Sequence, residues 1–485
     1  MATTRLFGAV CAAGAALCSA RCPPLDGAGA HAARRVAERS KAASQRGAFA
    51  CDAMAIKTGN PDALIVLTRA RYPSRPAPSR DLRLQKKVRE GVAYTRRRLL
   101  ENNRFGGNPV AIENEVVAAE QPLEYTRSKS PYEVFIESTG VPIHRGYYVE
   151  DVRTVELGWW EERQCNAAFL VLAGQEGVSE SRVTEIPPGK TLPPTRFALD
   201  EVVYVAEGRG LTTIWANDAG PKRTFEWQKH SLFLLPRGHY CQLSSTQGSQ
   251  PARLLHYNYL PISMGIVPDP KFYFEHPYVD ASLLETDFYS EAKAIVPENP
   301  RSGHQVVWYG NFFPDMRAWD RMNTYQERGA GGFRVGVQFA NSTMWSHMSS
   351  FPTRTYKKGH RHGPGVVIII PAGEGYSIMW PEGRDKVVIP WHEGSVFVPP
   401  DRWFHQHFNL GAEYARYLAF HTPRAVSGRS ERVEDLARDQ IEYSDEDLFI
   451  RHKFEEELGK RGLTTLMPEE AYRDHDYKWA YDEGD

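Results

Sequence analysis

The stretch GHRHGPGVVIIIPAGEG, residues 359–375, places two histidines one residue apart directly before a continuous apolar run. Successive side chains of a β-strand point to opposite faces, so His360 and His362 would project to one side and Arg361 to the other. Such a pair can bind a metal ion, or it can be two polar residues at the mouth of a buried strand. The first interpretation requires a third ligand from elsewhere in the chain.

The chain as a whole has the composition of an ordinary globular protein. Of its 485 residues, 41% are hydrophobic and 25% charged, and the net charge is −1. We find no basic stripe that would indicate a nucleic-acid partner, and no apolar run long enough to span a bilayer. The 33 prolines, 39 glycines and 12% aromatic residues are typical of many short strands joined by turns.

The N-terminal region differs from the rest. Four of the six cysteines lie within the first 51 residues, and only Cys165 and Cys241 lie in the body, which we interpret as a reduced, cytoplasmic-type soluble protein. Three interpretations of the leader stay open: a signal peptide, a transit peptide, or upstream sequence translated ahead of a true start at Met54. Residues 1–120 are predicted to be a mobile or processed extension, with one basic helical stretch near residues 82–101.

From about residue 130, short apolar or alternating runs such as AAFLVLAG and KVVIPWHEGSVFVPP recur between turn residues, in two sets. This rhythm predicts an all-β fold with two sandwiches or barrels. The predicted domains are a first barrel at 125–262, a connection with some helix at 263–330, a second barrel at 331–425, and a C-terminal appendage at 426–485. The appendage carries helical charge pairing and is predicted to be helical.

The two sets of strands align as copies of a diverged duplication, an internal repeat with a long period. The aligned pairs are Thr195 with His360, Phe197 with His362, His230 with Gly394, Pro236 with Pro400, and Cys241 with His405. His405 belongs to a different strand of the second copy from the histidine pair.

The second copy resembles the two signature motifs of the cupin superfamily, a family of small jelly-roll barrels. The matching residues are His360, His362, Gly373, Gly394, Pro400, His405 and Asn409. It departs from the motifs at Arg402, which replaces the glycine after the proline, and at Val366 or Val367, where the family has a glutamate ligand. The resemblance spans about residues 130–425 and implies two tandem cupin jelly-roll barrels, a bicupin.

The first copy shows the reverse pattern. Glu201 and Gly208 fit the motif, but Thr195, Phe197 and Cys241 stand in place of the three histidines. We therefore expect a degenerate barrel without metal, with a packed interior and a structural role.

The resemblance implies that His360, His362 and His405 bind one divalent metal ion. His407 shares the inward parity of His405, and it is interpreted as an acid–base residue, as a residue behind the ligands, as an alternative ligand, or as a core histidine. Trp403 has the same parity and is predicted to form a pocket wall that contacts substrate.

Cations near the motif strands are candidates for binding a substrate carboxylate. We name Arg354 and Arg402 as substrate-binding candidates, with Arg416 as a third. Trp345 and His347 form another same-face pair on the strand that enters this barrel, and they are interpreted as packing residues.

The missing glutamate points to a particular group of the family. Three neutral imidazoles leave a divalent ion its full charge and open positions, which suits an anionic chelating substrate and O2. The second copy is similar to the three-histidine cupins, notably gentisate 1,2-dioxygenase and its salicylate and hydroxynaphthoate relatives. This resemblance implies a ring-cleaving oxidoreductase of aromatic compound catabolism, with Fe(II) as cofactor, O2 and a small hydroxylated aromatic acid as substrates, and a homo-oligomeric assembly.

Two other classes of function stay open. A Mn(II) or Zn(II) cupin could act as an isomerase, lyase or hydrolase in which the metal is a Lewis acid and O2 takes no part. A non-catalytic cupin would bind a small ligand or only build an oligomer. Metal content and the dependence of turnover on O2 discriminate between the three.

Overall fold

The computed structural model describes residues 51–57, 64–70, 129–279, 287–290, 292–296, 306–318, 320–427 and 437–481. The chain divides into two units, Met1–Pro122 and Leu123–Asp485. In the first unit, strands β1 (Cys51–Lys57) and β2 (Leu64–Ala70) form an antiparallel hairpin. This hairpin was not predicted from the sequence, and the predicted basic helical stretch lies outside the described residues.

The second unit begins with helix α1 (Pro131–Ser138), whose first turn is closed by a capping box between Ser130 and Glu133. The strands that follow, up to residue 258, are β3 (Ile143–Gly146), β4 (Tyr148–Val149), β5 (Gly158–Trp160), β6 (Cys165–Leu172), β7 (Glu180–Ile186), β8 (Thr195–Arg196), β9 (Glu201–Glu207), β10 (Arg209–Trp215), β11 (Lys222–Gln228), β12 (Leu232–Leu235), β13 (Tyr240–Ser245) and β14 (Ala252–Asn258).

The middle and last parts of this unit continue the pattern. The middle part contains helices α2 (Leu260–Met264) and α3 (Pro270–Phe274) and strands β15 (Lys293–Ile295), β16 (Val307–Tyr309), β17 (Phe312–Phe313) and β18 (Asn323–Thr324). The last part contains β19 (Phe333–Gln338), β20 (Trp345–Phe351), β21 (Gly359–His360), β22 (Val367–Ala372), β23 (Gly375–Trp380), β24 (Val387–Trp391), β25 (Val396–Phe397), β26 (Phe404–Asn409), β27 (Ala415–His421), β28 (Gln440–Ile441) and helix α4 (Leu448–Gly459). No described helix has the length and apolar character that a membrane crossing requires.

These strands build two tandem barrels, each from a large and a small sheet. In the first barrel the strand orders are β17-β12-β9-β14-β7-β6-β3, with β5 also on β6, and β11-β10-β13-β8. In the second barrel they are β15-β16-β19-β20-β27-β22-β25-β4, with β18 also on β19, and β24-β23-β26-β21-β28. The predicted all-β fold with two tandem barrels is confirmed, and the helical C-terminal part is small.

Each barrel borrows a short strand from the other half of the chain. Strand β4, which lies between β3 and β5 of the first barrel in the sequence, pairs with β25 of the second barrel. Strand β17, which lies between β16 and β18 of the second barrel in the sequence, pairs with β12 of the first. The exchange places both large sheets side by side, so that one hydrophobic core is shared between the barrels.

Alternation along the central strands assigns side chains either to this shared core or to a barrel interior. In β9, Tyr204 faces the shared core while Val203 faces the interior of the first barrel. In β22, Ile369 faces the shared core while Ile368 faces the interior of the second. Both faces of these strands are buried, which explains why their sequences read as continuous apolar runs.

The C-terminal segment covers the small sheet of the second barrel. Helix α4 buries Ile450, Phe454 and Leu458, which recur at every fourth residue along one face and pack with Tyr356 and Phe408 of the barrel. The segment also adds strand β28 beside β21, so it is less helical than its charge pattern predicts.

The prediction of a packed interior for the first barrel is wrong. A cavity of about 60 Å³ lies inside it, and Thr195 and Cys241 are among the residues that line it. The physical reason is side-chain size, since these two residues are smaller than the imidazoles at the equivalent positions of the second barrel.

Candidate metal centre

The structure brings His360, His362 and His405 together inside the second barrel. His360 on β21 is the direct cross-strand partner of His405 on β26, and His362 follows two residues later. One ligand atom from each ring lies within 4.8 Å of the others. The ring centroid of His405 lies 4.2 Å from that of His360 and 4.8 Å from that of His362.

Backbone carbonyls orient all three rings. Nδ1 of His362 lies 2.7 Å from the Gly363 carbonyl oxygen, Nδ1 of His405 lies 3.2 Å from that of Trp403, and Nδ1 of His360 lies 3.4 Å from that of Lys358. A carbonyl oxygen can only accept, so each Nδ1 carries the proton and each Nε2 carries the lone pair. Metal-bound histidines in proteins are usually held in this way.

The electrostatic environment keeps the rings neutral. His362 and His405 are buried and His360 is partly buried. Burial lowers the pKa of His360 and of His405 well below the usual value, and the Arg328 charge lowers both further. A metal ligand has to be the neutral imidazole, so these residues fit a divalent ion bound by nitrogen, such as Fe(II) or Zn(II).

Val366 occupies the position at which the motif that the second copy resembles has a glutamate. Val366 belongs to the hydrophobic cluster inside the second barrel, whereas Val367 belongs to the core shared with the first barrel. The repeat gives the same answer, because Gly208 and Gly373 hold matching left-handed conformations with φ of 95° and lie seven residues after Glu201 and Val366 respectively. No carboxylate joins the three histidines in the ligand cluster found among the described residues.

His407 lies inside the barrel next to the three predicted ligands. Its ring centroid is 5.6 Å from that of His405 and 4.9 Å from that of Tyr417. Ser377 Oγ accepts a hydrogen bond from Trp391 Nε1 at 3.0 Å and lies 2.8 Å from His407 Nδ1. When the hydroxyl proton is directed at Nδ1, Nε2 of His407 carries the ring proton; when Nδ1 donates to Oγ, Nε2 carries the lone pair. Burial lowers the pKa of His407 to about 3, which keeps this ring neutral.

Lys357 is a site residue that the sequence analysis missed. It is fully buried, and Nζ donates to Ser349 Oγ at 2.8 Å. Lys357 Nζ also lies 5.4 Å from the Phe351 ring centroid and 5.6 Å from that of Tyr417. Counting back two residues from His360, strand alternation assigns Lys358 to the inward face. The backbone before Gly359 is not a strand, however, so Lys357 faces inward and Lys358 pairs with Glu442 instead.

Two arginines, Arg328 and Arg334, lie near Lys357, and neither is paired with a carboxylate in the described part of the chain. Within the described part of the chain, no salt bridge forms at Lys357, Arg328 or Arg334. Arg328 donates to the neutral side chain of Gln440, and Arg334 lies over the Tyr325 ring with its centroid at 5.4 Å. Burial, followed by these two guanidinium groups, lowers the pKa of Lys357 well below its usual value. The positive charge beside Lys357 is therefore carried by Arg328 and Arg334, and it favours the neutral amine of Lys357.

The other predicted residues have the following contacts. Trp403 is partly buried against the interior cluster of the second barrel, as a pocket wall would be. Arg402 is paired with Asp439, which also binds Arg361. Arg354 donates to the Thr464 carbonyl oxygen, at 3.4 Å, and thus lies against the C-terminal segment.

Arg416 and the pair on the entering strand also take part in packing. Arg416 donates to the Met316 carbonyl oxygen at 3.4 Å. His347 Nδ1 lies 2.6 Å from His421 Nε2, and the His421 ring stacks on Trp345 with centroids 3.7 Å apart. This is a buried aromatic stack, in line with the interpretation of Trp345 and His347 as packing residues.

The equivalent region of the first barrel holds an ionic network. Glu201 binds Arg182 at 2.7 Å, His256 Nδ1 at 2.8 Å and Asn258 Nδ2 at 2.9 Å. Burial alone would raise the pKa of Glu201, but the Arg182 and His256 contacts outweigh it and hold that pKa far below the usual value. The carboxylate that the second barrel lacks is thus ionised and fully engaged in the first.

No protein-family model and no curated protein matches the chain. Among solved structures, a mutant of Bacillus subtilis oxalate decarboxylase is 11% identical, with a TM-score of 0.38 over 59% of this chain and 80% of that one. A formate complex of Lactobacillus farciminis oxalate decarboxylase is 13% identical, with a TM-score of 0.37 over 59% of this chain and 88% of that one. Likenesses this low support no conclusion about function.

Proposed function

We propose that the second barrel is the active site of a metal-dependent enzyme that acts on a small anionic acid. The observation that carries the proposal is the convergence of three neutral imidazoles within 4.8 Å, close enough to the Arg328 guanidinium for its charge to act on His360 and His405. His360, His362 and His405 would hold the ion, and a bound divalent ion supplies Lewis-acid polarisation of a substrate oxygen.

The chain's own residues supply binding and proton handling. Burial and the neighbouring Arg328 and Arg334 charges favour the neutral amine of Lys357, which can accept a proton from a substrate acid and then pair with the resulting anion. When Ser377 donates to Nδ1 of His407, the Nε2 proton of that ring is available to a substrate oxygen. Tyr417 is buried, which raises the pKa of its hydroxyl to about 12 and keeps it protonated.

Of the reaction classes, we favour one that does not use O2: an isomerase, lyase or hydrolase. Proton donors and acceptors such as Lys357, His407 and Tyr417 serve reactions that move protons. For this class Zn(II) and Mn(II) are the expected ions.

A ring-cleaving Fe(II) dioxygenase acting on a hydroxylated aromatic acid is the second candidate. The observation in its favour is Val366, which leaves the ion without a carboxylate ligand and so leaves positions for a bidentate substrate and O2. The homo-oligomer implied by the family resemblance remains a prediction under either reading.

Anaerobic purification, metal quantitation and turnover measurements on a panel of small hydroxy acids and carboxylic acids test the proposal. We expect about one divalent ion per chain and product formation that continues at an undiminished rate without O2. Iron together with O2 consumption stoichiometric with substrate loss would replace the favoured class by the dioxygenase. Purified protein that binds no divalent ion would contradict both and indicate a non-catalytic barrel.

A further inference from the structure

The turn before the third ligand position has the same backbone path in both barrels but a different residue at its centre. In the first barrel the Gly238 N–H donates to the Phe197 carbonyl oxygen at 2.6 Å, and in the second the Arg402 N–H donates to that of His362 at 2.9 Å. Gly238 and Arg402 are aligned, and both are left-handed, with φ of 71° and 59°. Glycine adopts this conformation freely, whereas the Cβ atom of arginine disfavours it.

The Arg402 side chain has a partner that explains its presence at this position. Its Nη2 donates to Asp439 Oδ1, and its Nη1 donates to Oδ2 at 3.3 Å, so the carboxylate is held at both oxygens. Asp439 ends a short 3-10 helix (Ala437–Asp439) directly before strand β28, and only 13% of its side chain is exposed. Burial by itself would raise the pKa of this carboxyl, but Arg402 and Arg361 hold that pKa below the usual value. Asp439 is therefore ionised.

Asp439 also binds Arg361, the residue between two of the predicted ligands. Arg361 Nε donates to Asp439 Oδ1 at 3.1 Å, and the Arg361 backbone N–H donates to the Asp439 carbonyl oxygen at 2.9 Å. The Arg361 guanidinium carbon lies 4.5 Å from the ring centroid of Phe404, the residue directly before His405. Through its two arginines, one carboxylate thus contacts the chain segments that carry all three histidines.

The first barrel closes the equivalent turn without a carboxylate. Arg196, which is aligned with Arg361, donates from Nε to the Gly238 carbonyl oxygen at 2.9 Å and from Nη2 to the Pro277 carbonyl oxygen at 2.6 Å. These acceptors are neutral backbone groups, and no salt bridge forms at Arg196 within the described ranges. Among the described residues, the carboxylate bridge therefore occurs in the barrel that has the histidines and not in the barrel that lacks them.

We propose that Asp439 is a positioning residue for the metal centre, which holds the segments of all three histidines through Arg361 and Arg402. This inference rests on the metal centre proposed for the second barrel. A carboxylate shared by two guanidinium groups fixes the direction of both, because the hydrogen bonds are charge-assisted. In this role the C-terminal segment sets the geometry of the ligands, in addition to covering the small sheet.

Titration of the full-length protein with Co(II) against a competing chelator tests this role, and the visible absorption of the bound ion reports the geometry of its ligands. We expect Asp439→Asn to weaken Co(II) binding about tenfold or more and to shift the absorption bands, as changes behind metal ligands do. Asp439→Glu should restore part of the affinity. The matched control is Glu382→Gln, which removes an exposed carboxylate that binds Arg361 at 2.8 Å and should change neither affinity nor absorption.

A second variant separates positioning from a change in the electric field at the ion. Arg402→Asn removes a positive charge, so a purely electrostatic effect would tighten Co(II) binding, whereas a loss of positioning weakens it. Asparagine tolerates the left-handed backbone at this position, so the turn itself is retained. We expect Arg402→Asn to bind Co(II) about tenfold more weakly than the unmodified protein. Circular dichroism confirms the fold of each variant, and this variant decides the question if Asp439→Asn does not fold.

The outcomes separate this inference from the proposed function. Unchanged Co(II) affinity and absorption in Asp439→Asn, tighter binding in Arg402→Asn, or equal weakening in Glu382→Gln would overturn the positioning role while the metal centre stands. An unmodified protein that binds no Co(II) would overturn the positioning role together with the proposed function.

Discussion

The two barrels use one framework for opposite chemistries. Thr195 faces Cys241 across strands β8 and β13 in the same register in which His360 faces His405 across β21 and β26. The first barrel keeps Glu201 and surrounds it with partners, whereas the second barrel keeps the imidazoles and has Val366 at the carboxylate position. The difference shows that ligand identity and framework geometry change independently in this chain.

The largest expected effect is on metal binding when His405 is replaced, because the first barrel has Cys241 at the equivalent position. His405→Ala should lower metal affinity by more than about 100-fold, since changes even to residues behind the ligands cost roughly 10- to 100-fold. Metal quantitation after dialysis checks this, with circular dichroism to confirm the β-fold. The matched control is Cys241→Ala, at the equivalent position of the first barrel, which should leave metal content unchanged. Equal metal loss in both variants would contradict the assignment of the site to one barrel.

The carboxylate position should matter for stability in the first barrel. Glu201→Ala breaks a buried ion pair and should cost about 3 kcal/mol of unfolding free energy. Glu207→Ala, at the end of the same strand, removes a half-exposed pair with Lys229 and should cost less than about 1 kcal/mol. Denaturant titration of both variants measures the difference. A Glu201 variant as stable as the Glu207 variant would mean that the network is not a stabilising element.

The covering segment gives the second barrel its own pH dependence. Burial raises the pKa of Glu446 to about 7, although Tyr356 and Gln406 donate to it. The folded state then binds a proton that the unfolded state releases, so stability is fully present below about pH 4.5 and is lost as the pH rises through 7. We expect a loss of about 2 kcal/mol over this range, after allowance for partial exposure.

Glu446→Gln should remove this loss, which unfolding measurements at pH 5 and pH 8 detect. Glu456→Gln, an exposed position of helix α4, should keep the full dependence. Glu201 acts in the opposite sense, because its lowered pKa gives stability that is lost only as the pH falls. A pH slope that persists unchanged in Glu446→Gln would assign it to another group.

The smallest expected effect concerns a pair of equivalent tryptophans. Trp227 donates to Thr212 in the first barrel at 2.9 Å, and Trp391 donates to Ser377 in the second at 3.0 Å. Replacing either with Phe should cost about 1 kcal/mol of stability. Only Trp391→Phe should also change turnover, because Ser377 orients His407. Equal turnover in both variants would exclude that orienting role.

The spacing of residues in the sequence correctly predicted those parts of the site that lie on regular strands. The pairing of His360 with His405 follows from motif spacing, and two barrels follow from the rhythm of runs and turns. The apolar run at Val366 and Val367 could not decide which valine faces inward, because both faces of that strand are buried. Lys357 was missed because parity fails where the backbone is not extended.

Other features are not encoded locally at all. The strands β4 and β17 are two residues long, too short for any periodicity, and their partners lie in the other half of the chain. The cavity of the first barrel depends on the summed volumes of side chains from many strands. The adoption of β structure by residues 440–441 depends on pairing with β21 and not on the helical charge pattern around them.

The two exchanged strands, β4 and β17, pair with their partner barrels in a symmetric way. Phe313 pairs with Leu232 and Phe312 with Phe233, while Val149 pairs with Val396 and Tyr148 with Phe397, so both exchanges use the same register. Each half contributes an equivalent short strand to the other, which is the relation between two subunits of a two-fold dimer with swapped elements. In a dimer the exchanged strands would dissociate with the subunits on dilution. Here both halves belong to one chain, so the pairing of each barrel with the strand from the other half does not depend on protein concentration.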